Sequence, residues 1–453
     1  MPGMHQYDDQ TESLARAIMA YARNRIATPQ PLDRSMPESE LARRAGRTIT
    51  SSGIGWDEAL RIWDDVLSPA TISSDHPAHM AFIPAAPTKA SVLFDLVVGA
   101  SSTIASTWID GAGAIHAENE VLRWLGAEVA RMGTNAGGAF VSGGSAGNLS
   151  ALVTARHVAR ERLGDEEQPR WRIACSDTAH SSVSAAARVM DVGVLDVRHD
   201  ERARLTGSAL ATTLDEDGGS GVFAVVASAG STNAGVIDDL AGVATVCRER
   251  GLWFHVDGAY GGAGLLAPSA RGRFAGIEEA DSFIVDPHKF LFAPYDACAL
   301  IYREPELARA AHRQRASYLD AASAEPEWNP ADYAYHLSRR ARGLPLWFSL
   351  ATYGTDAYRD GVEQVLALTR ATAEEIHKHP MLQLIMEPDL SVVLFGRTGW
   401  TDADYEGWWR RLLNAQIAFV QPTSWEGRRV ARLCFINPRT TLDHVRAVLG
   451  TMY

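Results

Sequence analysis

The sequence is poor in cysteine and shows no pattern in the few it has. Cys175, Cys247, Cys298 and Cys434 lie far apart and form no CxxC pair. A cysteine metal cage and a disulfide framework are thereby excluded, and a reducing cytoplasm is the expected setting. Long apolar runs are missing too. Charges such as Asp95 and Asp110 break the longest hydrophobic stretches, so none reaches the roughly 20 residues of a membrane helix. The opening MPGMHQYDDQTES is polar and acidic, without the basic and apolar regions of a signal peptide. Positive charge is in deficit, with a formal net charge of −12, which argues against nucleic acid and membrane surfaces as partners. There is no internal repeat and no low-complexity tract.

What remains is ordinary for a globular protein: 46% hydrophobic and 22% charged over 453 residues, long enough for two or three packed units. Residues 12–26 have apolar positions at helical spacing, and 38–46 and 56–67 read as short helices. This N-terminal helical segment, 1–75, cannot bury its own face and is expected to pack on another surface, such as a second subunit. His76 to Pro84 reads as a Pro-broken loop that lines a pocket or joins the core. Helices are expected over 88–107 and 115–132.

From 133 to about 300, short apolar strands (137–141, 171–176, 193–197, 222–228, 253–256, 282–285) alternate with helical stretches such as 149–162, 181–190 and 238–250. The pattern predicts an α/β fold with a mostly parallel central sheet, covered on both faces, in a large unit over 76–345. Ligands of such sheets sit at the carboxyl ends of the strands. Residues 317–340, with Tyr318, Trp328, Tyr333 and Tyr335, read as a long mobile segment of the lid kind. A helix from Leu344 to about 377 leads into a smaller α+β C-terminal unit, 346–453, with strands expected at 382–386, 391–395, 418–421 and 429–435.

The polar clusters follow the strands. Gly143-Gly144-Ser145-Ala146-Gly147-Asn148 opens a helix and suits an anion, since small residues admit backbone N–H groups and the helix dipole helps. It is not a Walker loop, and a plain tight turn reads equally well. His180 follows the next strand and either caps a helix or stacks on an aromatic ring. Thr232 lies in Ser228–Asp238, where Asp238 is placed to cap the following helix. Asp257 ends a strand and enters a glycine-rich run. A carboxylate there can pair with a protonated pyridine nitrogen. Lys289 follows Asp286-Pro287-His288 at another strand end. Desolvation is expected to lower its pKa and make it a nucleophile toward an aldehyde. A Schiff-base lysine for pyridoxal 5'-phosphate (PLP) accounts for the set.

Together, HPAHMAFIPAAPTKASVLFD, SGGSAGNLSAL, SDTAHSSVSAA, GSTNAGVIDD, HVDGAYGG, DPHKFL and LSRRARGLPLW resemble the PLP-dependent group II amino-acid decarboxylases, the family of aromatic-L-amino-acid decarboxylases. The resemblance covers nearly the whole chain and is strongest from His76 to Arg342. It implies a type I PLP fold like that of aspartate aminotransferase, and a homodimer with shared active sites. Lys289 would carry the cofactor, with His288 beside it. His180 would stack on the ring and help place the substrate carboxylate, and Asp257 would hold the ring nitrogen. Gly144, Ser145 and the position of Asp286 would bind phosphate. Thr232 would lie near the ring and Asp238 would support the site. Phe82, Ile83 and Pro84 match a segment that lines the substrate pocket, and Ile104 and Ser106 would reach across the dimer.

The implied reaction is decarboxylation of an L-amino acid to the amine, with a loop tyrosine as proton donor. Tyr333 is the best match, although the interval to Leu337 is shorter than in animal and plant enzymes, so Tyr335 and Tyr318 stay open. Relatives without that tyrosine release an aldehyde, which is the alternative product. Animal members have Asn where this chain has Asp286, whose charge would repel a phosphate unless protonated or turned away. An aromatic substrate is preferred, and a non-aromatic one is the alternative. An aminotransferase would need an arginine such as Arg428, Arg429, Arg432 or Arg439. A non-catalytic PLP-binding scaffold is disfavoured because Lys289, Asp257 and His180 are all present.

Overall fold

The computed structural model describes residues 4–164, 168–314 and 327–452. Its larger sheet is built from β1 (Gly137–Val141), β2 (Arg172–Ser176), β3 (Gly193–Val197), β4 (Val222–Ser228), β5 (Trp253–Asp257), β6 (Ser282–Val285) and β7 (Cys298–Tyr302). The strand order is β1-β7-β6-β5-β4-β2-β3. β7 runs antiparallel to both neighbours, and the other pairs are parallel. Alternate residues feed two cores. Phe140, Val225, Phe254 and Phe283 pack on one face with Leu122 and Val243. Ala139, Ile173, Ile284 and Leu300 pack on the other with Leu152 and Val183. Burial on both faces explains why these strands read as unbroken apolar runs.

The smaller sheet, β8 (Leu382–Leu384), β9 (Val392–Arg397), β10 (Thr423–Trp425) and β11 (Arg428–Cys434), is antiparallel in the order β10-β11-β9-β8. The helix Leu344–Lys378 leads to it, broken once at Gly354. Buried Arg339 pairs with Glu118, which also accepts the Gly343 N–H at 2.8 Å. That pair gives the LSRRARG motif a structural role.

Several expected boundaries moved, each for a local reason. The helix expected over 115–132 begins at Trp108, because Thr107 and Asp110 form a capping box. The helix expected over 88–107 ends at Ala100. Residues 418–421 form no ladder strand; Phe419 makes an isolated bridge to His79. β7 and the helices Gly207–Asp217 and Pro305–His312 were not foreseen. The segment expected to be mobile, 317–340, lies partly outside the described residues, as does Tyr318. Its described part packs down. The Trp328 indole donates to the Gly138 carbonyl at 3.1 Å, and Tyr333 stacks on Trp328 at 4.0 Å.

His79 gives the fold an acid-sensitive point. Its ring packs edge-on against Phe419, and its Nδ1 is buried without a partner. Burial pushes its pKa down to about 4. The unfolded chain therefore binds a proton near pH 6.5 that the folded chain refuses until about pH 4. Stability is lost as pH falls through that window, by ~3 kcal/mol from this residue. In urea denaturation at pH 7 and 4.5, His79→Phe is expected to lose less stability between the two than the parent. An identical loss would contradict this.

Candidate active site

The parallel strands point their carboxyl ends at one cavity of about 320 Å³. Next to one another, β6, β5 and β4 deliver Lys289, Asp257 and Thr232. β1 brings Gly144 and Ser145 from one side, and β2 brings His180 from the other; all six line the cavity. Gly144 opens the helix Gly144–Leu163. A Cβ there would come 3.0 Å from the Ala259 Cβ and 3.2 Å from Asp286 Oδ2, so glycine keeps the cradle open. Gly230 has φ +108°, and a Cβ would meet Gly261 Cα at 2.8 Å, which requires glycine at this turn. His180 both caps the helix Ser181–Met190, with Nδ1 accepting the Ser182 N–H at 3.2 Å, and lines the cavity.

Asp257 is buried. Its Oδ2 accepts from Asn148 Nδ2 at 2.8 Å and its Oδ1 from the Ala259 N–H at 3.1 Å. These donors compensate a carboxylate that burial would otherwise penalise. Asp286 is 1% exposed. Its Oδ2 pairs with Lys289 Nζ at 2.9 Å and accepts the Gly144 N–H at 3.3 Å. Burial alone would lower the pKa of Lys289, as expected from sequence. The charge and hydrogen bond of Asp286 outweigh it, and the pKa is raised.

The sign matters for cofactor capture. Only the neutral amine attacks an aldehyde, so loading of cofactor-free protein should be slow at neutral pH and quicken as pH rises. Asp286→Asn should move that rise to lower pH, with loading at pH 7 faster by about tenfold for each unit of pKa lost. Stopped-flow absorbance would measure it, and an unchanged pH profile would contradict the pairing.

Other predicted residues are placed differently. Tyr333 is 3% exposed and held in its stack on Trp328, away from the cavity lining. Tyr335 is 53% exposed and does not line it either. Among the described residues, the phenols that do are Tyr260 and Tyr295, which sequence reasoning missed. Tyr260 is tied to Ser391, whose N–H it accepts at 2.9 Å. Tyr295 is half exposed, with its ring 4.8 Å from that of His288. His288 lines the cavity and is buried beside Ala297. Asp238 does not cap the following helix; Asp239 does, accepting from Gly242 N–H at 3.0 Å. Asp238 instead accepts from Ser228 N–H at 2.6 Å and Leu205 N–H at 2.8 Å, tying down the end of β4.

A second cavity of about 350 Å³ shares His180 and Thr232 with the first, and Phe82 lines it. Ile83 and Pro84, next in sequence, are buried and line neither cavity. Ile104 is 38% exposed. Ser106 is buried and accepts the Arg339 N–H at 3.1 Å. Among the described residues, no group of three or more His, Cys, Asp or Glu is placed to hold a metal. No helix among them is long and apolar enough to cross a membrane.

A family profile described as the pyridoxal-dependent decarboxylase conserved domain matches residues 48–397. The chain belongs to this family. It is a PLP-dependent amino-acid decarboxylase, a carbon–carboxylate lyase. This decarboxylase is 29% identical over 434 residues to the aromatic-L-amino-acid decarboxylase of Bacillus atrophaeus, covering 93% of this chain and 89% of the relative. It is 31% identical over 398 residues to the L-2,4-diaminobutyrate decarboxylase of Rhizobium meliloti, covering 83% and 77%. In fold it is similar to Oryza sativa TDC solved with PLP and tryptamine, at a TM-score of 0.90 and 23% identity over 99% of both chains.

The residues present fit PLP. A helix N-terminus with Ser145 suits the phosphate. A buried carboxylate with donors on both oxygens suits a pyridinium N–H. Lys289 supplies the amine. The cavity lies at the lower end of the ~300–1,000 Å³ usual for small-molecule sites.

Proposed function

We propose that this decarboxylase acts on an aromatic L-amino acid and releases the amine and carbon dioxide. The second cavity carries the reading. Phe82, Ala179 and Pro422 give it apolar wall, and among the described residues no Asp or Glu lines it, while Arg432 does. Arg432 is 5% exposed, and its guanidinium donates to the carbonyls of Thr232 at 2.7 Å, Phe82 at 3.0 Å and Asn233 at 3.0 Å. A flat uncharged ring suits this wall. A cationic side chain such as that of diaminobutyrate would meet a like charge and no carboxylate. The Bacillus relative supports the same choice.

Bound in the first cavity, the cofactor supplies an aldehyde for the substrate amine and an electron-withdrawing ring for the electron pair that carbon dioxide leaves behind. The protein's residues divide the remaining work. Gly144 and Ser145 hold the phosphate, with Asp286 beside them. Asp257 keeps a proton on the ring nitrogen. His180 covers the ring face. With Thr232, it stands where the two cavities meet and orients the departing carboxylate, an effect of several kcal/mol. Lys289 exchanges with the substrate amine. Tyr295 is the lining phenol with a free path to solvent, and it delivers the proton to the substrate Cα. Tyr333→Phe is therefore expected to leave the yield of amine and the traces of aldehyde unchanged, by product chromatography. A shift toward aldehyde and peroxide would restore Tyr333 as the donor.

The working unit on this reading is a homodimer. The helix Asp9–Ala27 buries none of its residues. Leu93, Leu96, Val97 and Ile109 are 48%, 40%, 49% and 64% exposed, an apolar surface that a second copy would cover. Light scattering on the purified chain tests this.

The substrate test is a panel of L-amino acids offered to PLP-loaded protein, with carbon dioxide, amine, aldehyde and peroxide all measured. Equal amine and carbon dioxide from aromatic substrates is the expected result. Turnover confined to diaminobutyrate or aliphatic substrates, or release of aldehyde with peroxide, would overturn the reading.

A further inference from the structure

Behind Asp257 lies a buried chain of hydrogen bonds that the reaction scheme does not use. Asn148 is 1% exposed and His255 is 0% exposed. Asn148 Nδ2 donates to Asp257 Oδ2 and to Ser182 Oγ, each at 2.8 Å. His255 Nε2 lies 2.8 Å from Asn148 Oδ1, and His255 Nδ1 lies 2.8 Å from Ser282 Oγ. The Trp253 indole N–H donates to the same Ser282 Oγ at 2.8 Å.

The direction of every bond follows from one end. A carboxylate that serves a ring N–H can only accept, so Asn148 must turn its NH₂ toward Asp257. Its Oδ1 then faces His255, which must carry its proton on Nε2. His255 Nδ1 must accept, so the Ser282 hydroxyl donates to it and takes the indole N–H on its oxygen. Both hydrogens and the oxygen of the Asn148 amide are thus engaged. A flipped amide would set oxygen against the Asp257 carboxylate. The chain also stays fixed in its charge. Burial holds the pKa of His255 down to about 4, against the opposing charge of Asp257, so the imidazole is neutral at working pH.

We propose that Asn148 and His255 are positioning residues that hold the Asp257 carboxylate in its rotation toward the cofactor's ring nitrogen. The inference rests on the reading of Asp257 as partner of that nitrogen. An amide between His255 and Asp257 serves this better than direct contact would. It passes on orientation yet cannot pass a proton, so Asp257 remains the acceptor.

The test compares two probes on the full chain: PLP, and 1-deaza-PLP, in which a C–H replaces the ring nitrogen. Equilibrium dialysis gives the Kd of each. The parent should prefer PLP by tenfold or more. No preference in the parent would sink the Asp257 reading and this proposal with it. If the preference stands, Asn148→Ala should weaken PLP by about 10–100-fold, the usual cost of losing a residue behind a ligand-holding group. It should leave the deaza analogue within about twofold, erasing the preference. His255→Leu, one step further along the chain and with no hydrogen bond to Asp257, should do the same to a lesser degree. His255→Gln, whose amide N–H can serve Asn148 Oδ1, should restore it. Equal weakening of both probes by Asn148→Ala and His255→Leu would mean a merely structural role and overturn the proposal. So would a preference that survives both substitutions.

Discussion

Lys289→Ala is expected to abolish turnover, with kcat reduced by at least about 10³-fold, because the change removes an amine that takes part in both capture and release. The loss should be chemical rather than structural. Lys289 is a cavity residue, and its one close ion pair is with Asp286 at 2.9 Å. Removing it leaves the buried Asp286 carboxylate with only the Gly144 N–H and the more distant His288 ring, at 3.6 Å, on Oδ2, so some stability will be lost as well. The separation is made by binding. PLP should still enter the site, held by the helix N-terminus and Asp257, but should be removed by dialysis where the parent retains it. Retention of turnover above about one-tenth of the parent would contradict the assignment of Lys289.

Asp257→Ala is the second large effect. Its carboxylate lies among donors from Asn148 and Ala259, set for one more N–H from the cofactor. Loss of that partner removes a charge placed where the transition state needs it, which costs about 10²–10³-fold in kcat. KM should change little, because on the proposed reading the substrate's own contacts lie toward His180, Thr232 and the second cavity. A variant with unchanged kcat and raised KM would show that Asp257 serves binding instead.

Much of this was legible in the sequence because β5 and β6 carry the signal in two ways. They are apolar throughout, as strands covered on both faces must be, and each ends abruptly in residues that line the cavity, Asp257 and the Asp286–Lys289 turn. What the sequence hid was pairing at a distance. β7 follows Lys289 with no intervening helix and inserts antiparallel between β1 and β6, which no local pattern announces. Asn148 read as part of a phosphate loop, since nothing near it in sequence reveals a histidine partner at 255. The raised pKa of Lys289 was missed because burial was weighed alone, although Asp286 stands three residues before it. Two adjacent acids, Asp238 and Asp239, could not be told apart as helix cap and loop anchor. The placement of Tyr333 was hidden for a related reason. Tyr333 is the best match despite its shortened interval to the LSRRARG motif, and the small residues of β1 make room for Trp328, on which Tyr333 stacks.

The central claim is that Lys289 holds the cofactor covalently. The chain has three lysines, Lys89, Lys289 and Lys378, so the claim can be tested directly. PLP-loaded protein is reduced with borohydride, digested, and mapped by mass spectrometry. The account predicts one pyridoxyl group, on the peptide that contains Lys289. A label on Lys89 or Lys378 instead, or no label after saturation with PLP, would contradict it.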